Sequence, residues 1–369
     1  MKHGNHDGSG IDRKLHDPIE DKLIPLESLD LTRVRSVDDL VRAMARTAFT
    51  GRQVGEAADV LEAMVRDQDC FVVMTLAGAM TVAKQSLIIT ELIDRGFVNA
   101  IVSTGALMAH GLVEATGRAH FRYNPDVSDT ELYERGYNRV YDTLEPEQNL
   151  DDVEEVMSEI LENWDHNEVM CSYKLNHAIG AYLAKRSKEQ RGILKSAYEK
   201  GVPVFVPAFT DSELGLDVAL NNRLRESTGR HKLRFDPFED LEHFAATLLR
   251  QKKLGIFTIG GGVPRNWSQQ FGPFCELRHR RLGENVPLKR YHYGVRICPE
   301  PAFWGGLSGS PYSEAISWGK FVPPAEGGRF GEVFLDATVG LPLIAGAVFE
   351  RLRKKTAPAK KKYSVGKRR

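Results

Sequence analysis

Apolar and polar positions follow two periods along this chain, one typical of helices and one typical of buried strands. Residues 38–48 and 54–65 carry apolar side chains every three to four positions, which predicts two helices ahead of the first strand. Residues 70–75 form a short unbroken apolar run, and residues 86–94 return to the helical period. A second apolar run at residues 98–102 completes the order strand, helix, strand. That order is typical of a βαβ unit in a parallel sheet.

The same alternation recurs in the C-terminal half. Apolar runs at residues 202–207, 254–259 and 331–335 each lead into a loop of small or acidic residues. The last of these runs is followed by a helical pattern through Phe349. We therefore predict one doubly wound α/β domain over residues 31–353, with a mostly parallel, Rossmann-like sheet and added N-terminal helices.

A charged region separates these two halves. Residues 125–200 contain acidic runs such as residues 151–155 and are predicted to be mostly helical. Tyr137 and Tyr141 are four positions apart, so they would share one helical face, where packing is their expected role.

Both ends of the chain lack a core-forming pattern. Residues 1–15 are polar and contain glycine, and we expect residues 1–30 to be a flexible segment. Residues 354–369 form a basic tail, for which a solvated, disordered end is expected and contact with nucleic acid or anionic lipid is the alternative.

Composition is that of an ordinary globular protein, with 42% hydrophobic and 27% charged residues. The 50 Lys and Arg residues balance the 50 Asp and Glu residues, so no overall field draws the chain toward nucleic acid or a membrane. No apolar stretch approaches the roughly 20 residues of a bilayer span, and the N-terminus lacks an apolar signal region. Because the cysteines are scattered and the histidines show no ligand spacing, we predict free thiols, no metal and a cytoplasmic location.

The segment Ser313–Lys320 is the strongest candidate for chemistry. Lys320 follows Trp318 by two positions and Glu314 by six, in a stretch rich in glycine and apolar residues. A lysine becomes a nucleophile when its amine is neutral, and burial against an aromatic wall or near other cations lowers its pKa. The alternative is a surface lysine that complements the dipole at the end of a helix.

Together with other segments, this octet resembles the active-site segment of the deoxyhypusine synthase family. The other matching segments, which occur in the family's order, are Phe49–Glu56, Ser103–Ala106, Pro207–Asp211, Ile259–Asn266 and Leu335–Ala337. The resemblance runs with gaps from about Asp39 to about Leu352, and Phe49–Glu56 is similar to bacterial and archaeal members. Ligands bind beyond the carboxyl ends of parallel strands, so we expect all these motifs to form one site at that edge.

The resemblance implies an NAD site. The positions that match its cofactor contacts are Ala77, Gly78, Thr81, Thr104, Gly105, Ala106, Asp211, Gly261, Asp336 and Ala337. Small residues after a strand let backbone N–H groups approach a pyrophosphate, and an aspartate at a strand end suits ribose hydroxyls. Two alternatives remain open, since the glycines at residues 260–262 also suit an ordinary turn and both aspartates also suit helix N-caps.

The resemblance also implies a polyamine site, whose ammonium groups call for carboxylates and an aromatic wall. Glu314 and Trp318 match substrate-binding positions, and Lys320 matches the catalytic lysine. Asn266 stands where the family has a histidine.

Three further positions depart from the family's pattern. Leu216 and Leu307 stand where the family has aspartates that bind spermidine, and Asp217 is the candidate substitute at the first of them. His110 stands where the family has a glutamate and is the second catalytic candidate, because an imidazole with an ordinary pKa near 6.5 can shuttle a proton. A purely structural histidine is the alternative.

By resemblance, the chain is expected to be an NAD-dependent aminobutyl transferase that uses spermidine as donor through an imine on Lys320. The substitutions resemble the prokaryotic deoxyhypusine synthase-like branch, which favours putrescine as acceptor and homospermidine as product. The alternatives are modification of a lysine in a translation-factor precursor, a catalytically silent NAD- or polyamine-binding homologue, and a Schiff-base enzyme unrelated to polyamines. A homotetramer with NAD sites at subunit interfaces is also implied.

Overall fold

The computed structural model describes residues 15–187 and 189–353. The predicted basic tail at residues 354–369, and residues 1–14 of the predicted flexible segment, lie outside the described residues.

Among the described residues, six strands form a parallel sheet and three shorter strands form an antiparallel sheet. The strands are β1 (Cys70–Leu76), β2 (Ala100–Val102), β3 (Phe121–Arg122), β4 (Tyr137–Val140), β5 (Thr143–Pro146), β6 (Val204–Phe205), β7 (Lys253–Ile259), β8 (Tyr291–Ile297) and β9 (Arg329–Val333). The large sheet has the order β6-β2-β1-β7-β8-β9, with every neighbouring pair parallel. Numbered by their appearance in this sheet, the strands run 3-2-1-4-5-6, which is the order of Rossmann dinucleotide-binding folds. The predicted α/β fold with a parallel, Rossmann-like sheet is confirmed.

Helices connect these strands and precede the first of them, as the apolar periodicity predicted. The α-helices of the described segments are α1 (Val37–Ala45), α2 (Phe49–Arg66), α3 (Ser86–Asp94), α4 (Gly105–Ala115), α5 (Asp129–Glu134), α6 (Glu147–Glu162), α7 (Ser172–Arg186), α8 (Ile193–Lys200), α9 (Glu213–Ser227), α10 (Pro237–Leu249), α11 (Gly262–Gln269), α12 (Phe271–Leu282), α13 (Tyr312–Ser317) and α14 (Ala337–Arg353). None of the helices in the described ranges combines the length and the apolar character that crossing a membrane requires.

Helices cover both faces of the large sheet because its strands are apolar on both sides. Successive residues of β1 alternate between two buried clusters, with Val72 and Met74 in one and Phe71 and Val73 in the other. The first cluster contains residues of α2, α3, α4, α6, α7, α8, α9 and α14, and the second contains residues of α10, α12 and α13. We call the two sides of the sheet the first face and the second face. They determine which functional side chains can meet within one chain.

A buried ion pair ties the N-terminal helices to the last helix. Arg351 Nε donates to Asp38 Oδ1 at 2.6 Å, and Arg351 Nη1 donates to Asp59 Oδ1 at 2.7 Å. Burial raises the pKa of Asp38, but the contacts with Arg351 and Arg42 outweigh burial and lower that pKa overall. α1 and α2 are therefore part of the packed domain.

The region predicted to be mostly helical also contains a small sheet. β4 and β5 pair antiparallel, and β3 pairs with the other edge of β5. Tyr137 begins β4 and Tyr141 follows that strand, 84% exposed, so the prediction that they pack on one helical face is wrong. The reason is Gly136, whose φ of 69° ends α5 directly before Tyr137.

β8 did not appear in the apolar pattern because polar residues interrupt it. Arg296 in this strand is 1% exposed, and its charge is satisfied by Glu332 of β9 at 2.7 Å. A buried arginine needs such a partner, and only the sheet supplies it.

Candidate active site

Small-residue loops meet at the carboxyl edge of the large sheet. β1 and β7 are neighbours at the point where the strand order reverses, and dinucleotides bind in the crevice at such a point. Ala77 follows β1, and its N–H donates to the carbonyl of Ile259 at the end of β7 at 3.0 Å. Thr104 and Gly105 follow β2, which is the neighbour of β1 on its other side.

These loops approach so closely that a larger side chain has no room. A Cβ on Gly261 would lie 2.6 Å from Ser308 Cα, and a Cβ on Gly105 would lie 2.5 Å from Ser212 Cβ. Gly78 has φ of 75°, in the left-handed region that glycine adopts without strain. Bare backbone beside the N-termini of α4 and α11 is a cradle for a pyrophosphate, so these residues fit the implied dinucleotide.

Two threonines of the predicted cofactor set support the cradle instead of lining it. Thr104 Oγ1 accepts from Leu107 N at 3.3 Å and so caps α4, with Gly105 and Ala106 in its first turn. Thr81 is fully buried, and its hydroxyl donates to the carbonyl of Leu107 at 3.1 Å.

The two aspartates of the predicted set lie at opposite ends of the sheet edge. Asp211 follows β6 and Asp336 follows β9, the two edge strands. Five strand spacings of about 4.8 Å place these strand ends about 24 Å apart. Asp336 accepts from Thr338 N at 2.8 Å and caps α14 beside Ala337, whereas α9 is capped by Ser212 and not by Asp211. The predicted cofactor residues therefore do not form a single compact pocket within one chain.

Lys320 is buried among the residues predicted to act with it. Its Nζ donates to Asn266 Oδ1 at 3.0 Å and lies 5.7 Å from the centroid of the Trp318 ring. Lys320 is 8% exposed. Burial lowers the pKa of Lys320, the nearby Arg265 adds to the lowering, and Glu314 opposes it. This is the environment in which a lysine amine becomes nucleophilic.

Arg265 also shapes the surroundings of Lys320, and its role there was not apparent from the sequence. It is 2% exposed and donates to the carbonyls of Leu307, Ser308 and Ser310, at 3.3, 3.3 and 2.6 Å respectively. These bonds fasten α11 to the loop ahead of α13 and place a fixed positive charge near Lys320.

Lys320 does not lie at the carboxyl edge of the sheet. The prediction that all the motifs form one site at that edge is therefore wrong for the motif that contains Lys320. Its carbonyl accepts from the N–H of Tyr291, the first residue of β8, at 3.0 Å. The chain must return along the second face after β8 so that β9 can begin, and Lys320 ends this return. α11 links the two places, since it starts at the edge with Gly262 and presents Asn266 to Lys320.

His110 and Asp217 lie on the first face, across the sheet from Lys320. They belong to α4 and α9, which pack in the first cluster, whereas Phe321 next to Lys320 packs in the second. Within one chain, the two predicted catalytic residues therefore do not meet.

Asp217 is surrounded by like charge. Burial raises its pKa to about 6, with added contributions from Glu154 and Glu213. Such a carboxyl gives up its proton readily when a cation comes within contact distance. Leu216 and Leu307 are 57% and 47% exposed and offer no charge where the family has aspartates.

His110 has buried partners that the sequence analysis missed. Its Nδ1 lies 2.5 Å from Glu145 Oε2, and His120 Nε2 lies 3.3 Å from Glu145 Oε1. Glu145 comes from β5, a strand that the apolar pattern did not predict. No local signal marks it, because its contact with His110 exists only in the folded chain.

The ligand atoms of these three residues lie within 4.8 Å of one another, a grouping that could hold a metal ion. The prediction of no metal rested on ligand spacing along the chain, which gives no sign of this grouping because only the fold brings His110, His120 and Glu145 together. Lys84 Nζ lies 2.9 Å from His120 Nδ1. This contact helps to decide whether the three residues hold a metal ion or only contact one another.

The fold is Rossmann-like, with small-residue loops at the point where the strand order reverses and a buried lysine whose pKa is lowered. The family model described as deoxyhypusine synthase matches residues 39–348. The chain therefore belongs to the deoxyhypusine synthase family, as the motifs predicted.

Similar proteins come from archaea and bacteria. The chain is 33% identical over 338 residues to "Probable deoxyhypusine synthase 2" of Methanosarcina mazei, covering 91% of this chain and 92% of that protein. It is 33% identical over 324 residues to "Probable deoxyhypusine synthase 1" of Archaeoglobus fulgidus, covering 88% and 97%. It is 32% identical over 338 residues to "Deoxyhypusine synthase-like protein" of Chlorobaculum tepidum, covering 91% and 92%.

A solved structure shares the fold. The crystal structure of a "putative deoxyhypusine synthase from Entamoeba histolytica" superposes with a TM-score of 0.57 at 15% identity, covering 88% of this chain and 97% of that one. The family consists of transferases of aminobutyl groups, and this chain is an enzyme of that class. Its membership supports NAD-dependent transfer of an aminobutyl group from spermidine.

Proposed function

We propose that this enzyme transfers the aminobutyl group of spermidine to putrescine and so forms homospermidine. The observation that carries the proposal is the buried Lys320, whose Nζ contacts Asn266 Oδ1 at 3.0 Å in a position that lowers the lysine pKa. An amine held in this way is neutral more often than a surface lysine and can attack an imine carbon.

Each side chain around the lysine has a separate task. Lys320 Nζ attacks the imine carbon of the oxidised donor, so one C–N bond forms and the C–N bond to the three-carbon diamine breaks. The four-carbon unit then stays on Lys320 as an imine until an acceptor amine displaces the lysine. Asn266 orients the amine, and Trp318 provides the wall along which the methylene chain lies. The chemistry that bound NAD supplies is acceptance of a hydride from the donor and its return to the product.

The acidic surroundings of Asp217 support a free diamine as acceptor. Putrescine carries two ammonium groups, so one can remain bound while the other reacts. Asp217, Glu154 and Glu213 are mutually repelling carboxylates, and an ammonium group relieves that repulsion. These residues would replace the family aspartates that are absent at Leu216 and Leu307.

The separation of the site residues supports a homotetramer whose active sites combine two copies of the chain. His110 and Lys320 lie on opposite faces of the sheet, and Asp211 and Asp336 at opposite ends of its edge. Phe303, Trp304 and Trp318 are 85%, 71% and 63% exposed, and large apolar side chains grouped along the chain in this way are typical of an interface. We propose that a second copy covers them and supplies the missing half of each site.

The test is an amine analysis. Purified enzyme with NAD, spermidine and putrescine should yield homospermidine and the three-carbon diamine in equal amounts, detected by mass spectrometry. Product that appears only with a protein acceptor would reject putrescine in favour of lysine modification. No amine turnover with either acceptor would support a silent binding homologue instead.

A further inference from the structure

A row of titratable side chains, buried at Glu145 and His120 and reaching the surface at Lys84, runs away from His110 on the first face. Lys84 Nζ contacts Glu114 Oε1 at 2.7 Å and His120 Nδ1 at 2.9 Å. His120 Nε2 lies 3.3 Å from one oxygen of Glu145, and His110 Nδ1 lies 2.5 Å from the other. The side chains of His120 and Glu145 are 0% and 1% exposed. Nothing in the mechanism above uses this row beyond His110.

The row has one consistent assignment of protons. A lysine ammonium only donates, so His120 Nδ1 accepts from Lys84 and its single proton sits on Nε2, facing Glu145. Glu145 therefore has an imidazole nitrogen within ion-pair distance of each of its carboxylate oxygens. Apart from these ion pairs, neither Glu145 oxygen has a hydrogen-bond partner among the described residues, and the same holds for His110 Nδ1 and His120 Nε2.

The charge of Glu145 sets the state of His110. Burial raises the pKa of the Glu145 carboxyl, but the contacts with His110 and His120 outweigh burial and bring that pKa to about 2. The same contact with Glu145 raises the pKa of His110 against the opposing effect of burial, and Glu213 adds to the rise. The proton on Nδ1 is thus held by Glu145, and Nε2 is the nitrogen that gains and loses a proton.

A metal ion fits this row less well. A neutral imidazole that binds a metal through Nε2 carries its proton on Nδ1. In His120 that proton would point at the ammonium of Lys84, a donor against a donor. The hydrogen bonds therefore favour a proton relay over a ligand set.

We propose that Glu145, held in turn by His120 and Lys84, is a positioning residue that fixes His110 so that its Nε2 takes the proton of the acceptor ammonium. The proposal rests on the proposed function. The proton passes from the acceptor nitrogen to His110 Nε2, and the freed amine attacks the imine carbon held by Lys320. The imine on Lys320 is protonated, so a C–N bond to the acceptor forms, a second proton passes from the acceptor nitrogen to the lysine nitrogen, the C–N bond to Lys320 breaks, and Lys320 leaves as a neutral amine. Because His110 and Lys320 lie on opposite faces, His110 serves the Lys320 of a second copy.

The groups around His110 come from several elements. Glu145 comes from β5 and Glu213 from α9, and the imidazole of His120 and the ammonium of Lys84 lie beyond Glu145. α6 contributes Glu154, whose charge acts on Asp217.

The experiment measures the donor half and the acceptor half of the reaction separately in the Glu145→Gln variant. The donor half is followed as the adduct on Lys320, trapped with borohydride after spermidine and NAD are added. The acceptor half is followed as putrescine-dependent product. We expect adduct formation within about threefold of wild type and product formation lowered by about 10²-fold or more, the size of a lost general base. Glu145→Asp should restore part of the loss, and Glu91→Gln, which removes a carboxylate of α3 that binds Arg95 and Arg191, should change neither half.

The pH dependence of kcat/KM for putrescine would not change if Glu145 had only a structural role. Without Glu145 the pKa of His110 falls, so the base stays unprotonated at lower pH, and the acidic limb of kcat/KM for putrescine should shift toward lower pH. An equal loss in both halves, or an unshifted limb, would overturn the relay. So would one equivalent of transition metal in the purified enzyme that Glu145→Gln removes.

An NMR titration of His110 distinguishes a failure of the proton relay from a failure of the proposed function. A wild-type enzyme that forms no adduct with spermidine defeats the proposed function. The titration of His110 in wild type and in Glu145→Gln then still decides the relay. A lower His110 pKa in the variant supports it, and an unchanged pKa rejects it.

Discussion

The Lys320 side chain is placed where a charge is disfavoured. It is 8% exposed, its Nζ has Asn266 as a neutral hydrogen-bond acceptor, and Arg265 adds a like charge nearby. A protonated amine at this position therefore costs the folded chain some stability. The neighbouring Trp318 and Glu314 were recognisable from the sequence, since all three lie within one octet.

Replacing Lys320 should remove activity without unfolding the enzyme. In Lys320→Met the borohydride-trapped adduct and the product should both be lost. The thermal midpoint at pH 7 should stay the same or rise, because the buried amine disfavours the native state when protonated. In wild type, adduct formation should increase with pH and level off below the ordinary lysine pKa of 10.5. Calorimetry and the trapping assay check the two parts.

Lys289→Met is the matched control, since Lys289 is also partly buried but binds only the carbonyl of Gln251 in the described structure. It should retain the adduct. A Lys320→Met enzyme that still forms aminobutyl product would reject Lys320 as the nucleophile.

Helix α14 joins the two ends of the described domain. Arg351 near its end reaches Asp38 of α1 as well as Asp59 and Glu62 of α2, with Asp38 4% exposed on its side chain. Helical periodicity predicted α1 and α2, but their attachment depends on ion pairs between residues about 300 positions apart. Asp38 and Arg351 are polar residues in a core, and such residues persist where each charge has a partner.

The Asp38–Arg351 pair should matter more than its surface neighbour. Asp38→Asn should lower the free energy of unfolding by about 2 kcal/mol, less than the 3–5 kcal/mol of a fully orphaned charge because Asp59 and Glu62 remain. Arg42→Gln, which removes only the exposed i,i+4 partner of Asp38, should cost about 0.5 kcal/mol or less. Urea unfolding at pH 7 measures both.

The pH profile of the Asp38 effect follows from its lowered pKa. A lowered folded pKa means that the stabilisation is complete above the unfolded value of about 3.9 and is lost as the pH falls through the folded value. The difference between wild type and Asp38→Asn should therefore shrink below about pH 4. A difference that stays constant down to pH 2 would contradict the ion pair as its cause.

The whole molecule divides its candidate site between the two faces of one sheet. Lys320 and Asn266 are on the second face, His110 and Asp217 on the first, and the dinucleotide cradle is on the edge between them. Under the proposed function, a single chain therefore carries two half-sites. An assembly in which the first face of one copy meets the second face of another would complete both.

Two inactive variants should restore each other if the sites are shared. Lys320→Met and His110→Gln, tagged differently and co-expressed, should form hybrids that produce homospermidine at roughly a quarter of the wild-type rate. Each variant purified alone should stay inactive, and native mass spectrometry should show tetramers in every sample. Isolated hybrids without activity would show that these two residues do not cooperate across an interface.

Much of the fold and part of the site could be predicted because the information is contiguous in the chain. Apolar runs located strands such as Cys70–Leu76, and small residues directly after them located the loops of the predicted dinucleotide cradle. Strands with interrupted apolar patterns, such as β4, β5 and β8, were missed, because there the pairing partners and not the local pattern stabilise the strand.

Local spacing along the polypeptide was enough for the α/β class, since apolar periodicity depends on neighbours within a few residues. The predicted cradle and the lysine were singled out by several short segments that match the family in its order, because each segment by itself also suits an ordinary turn or a surface lysine. Folding alone brought Glu145 to His110 and Arg265 to the loop beside Lys320, and folding alone put His110 and Lys320 on opposite sides of the sheet. Such contacts arise from packing between distant segments, and the separation of two residues along a chain does not specify their distance in space.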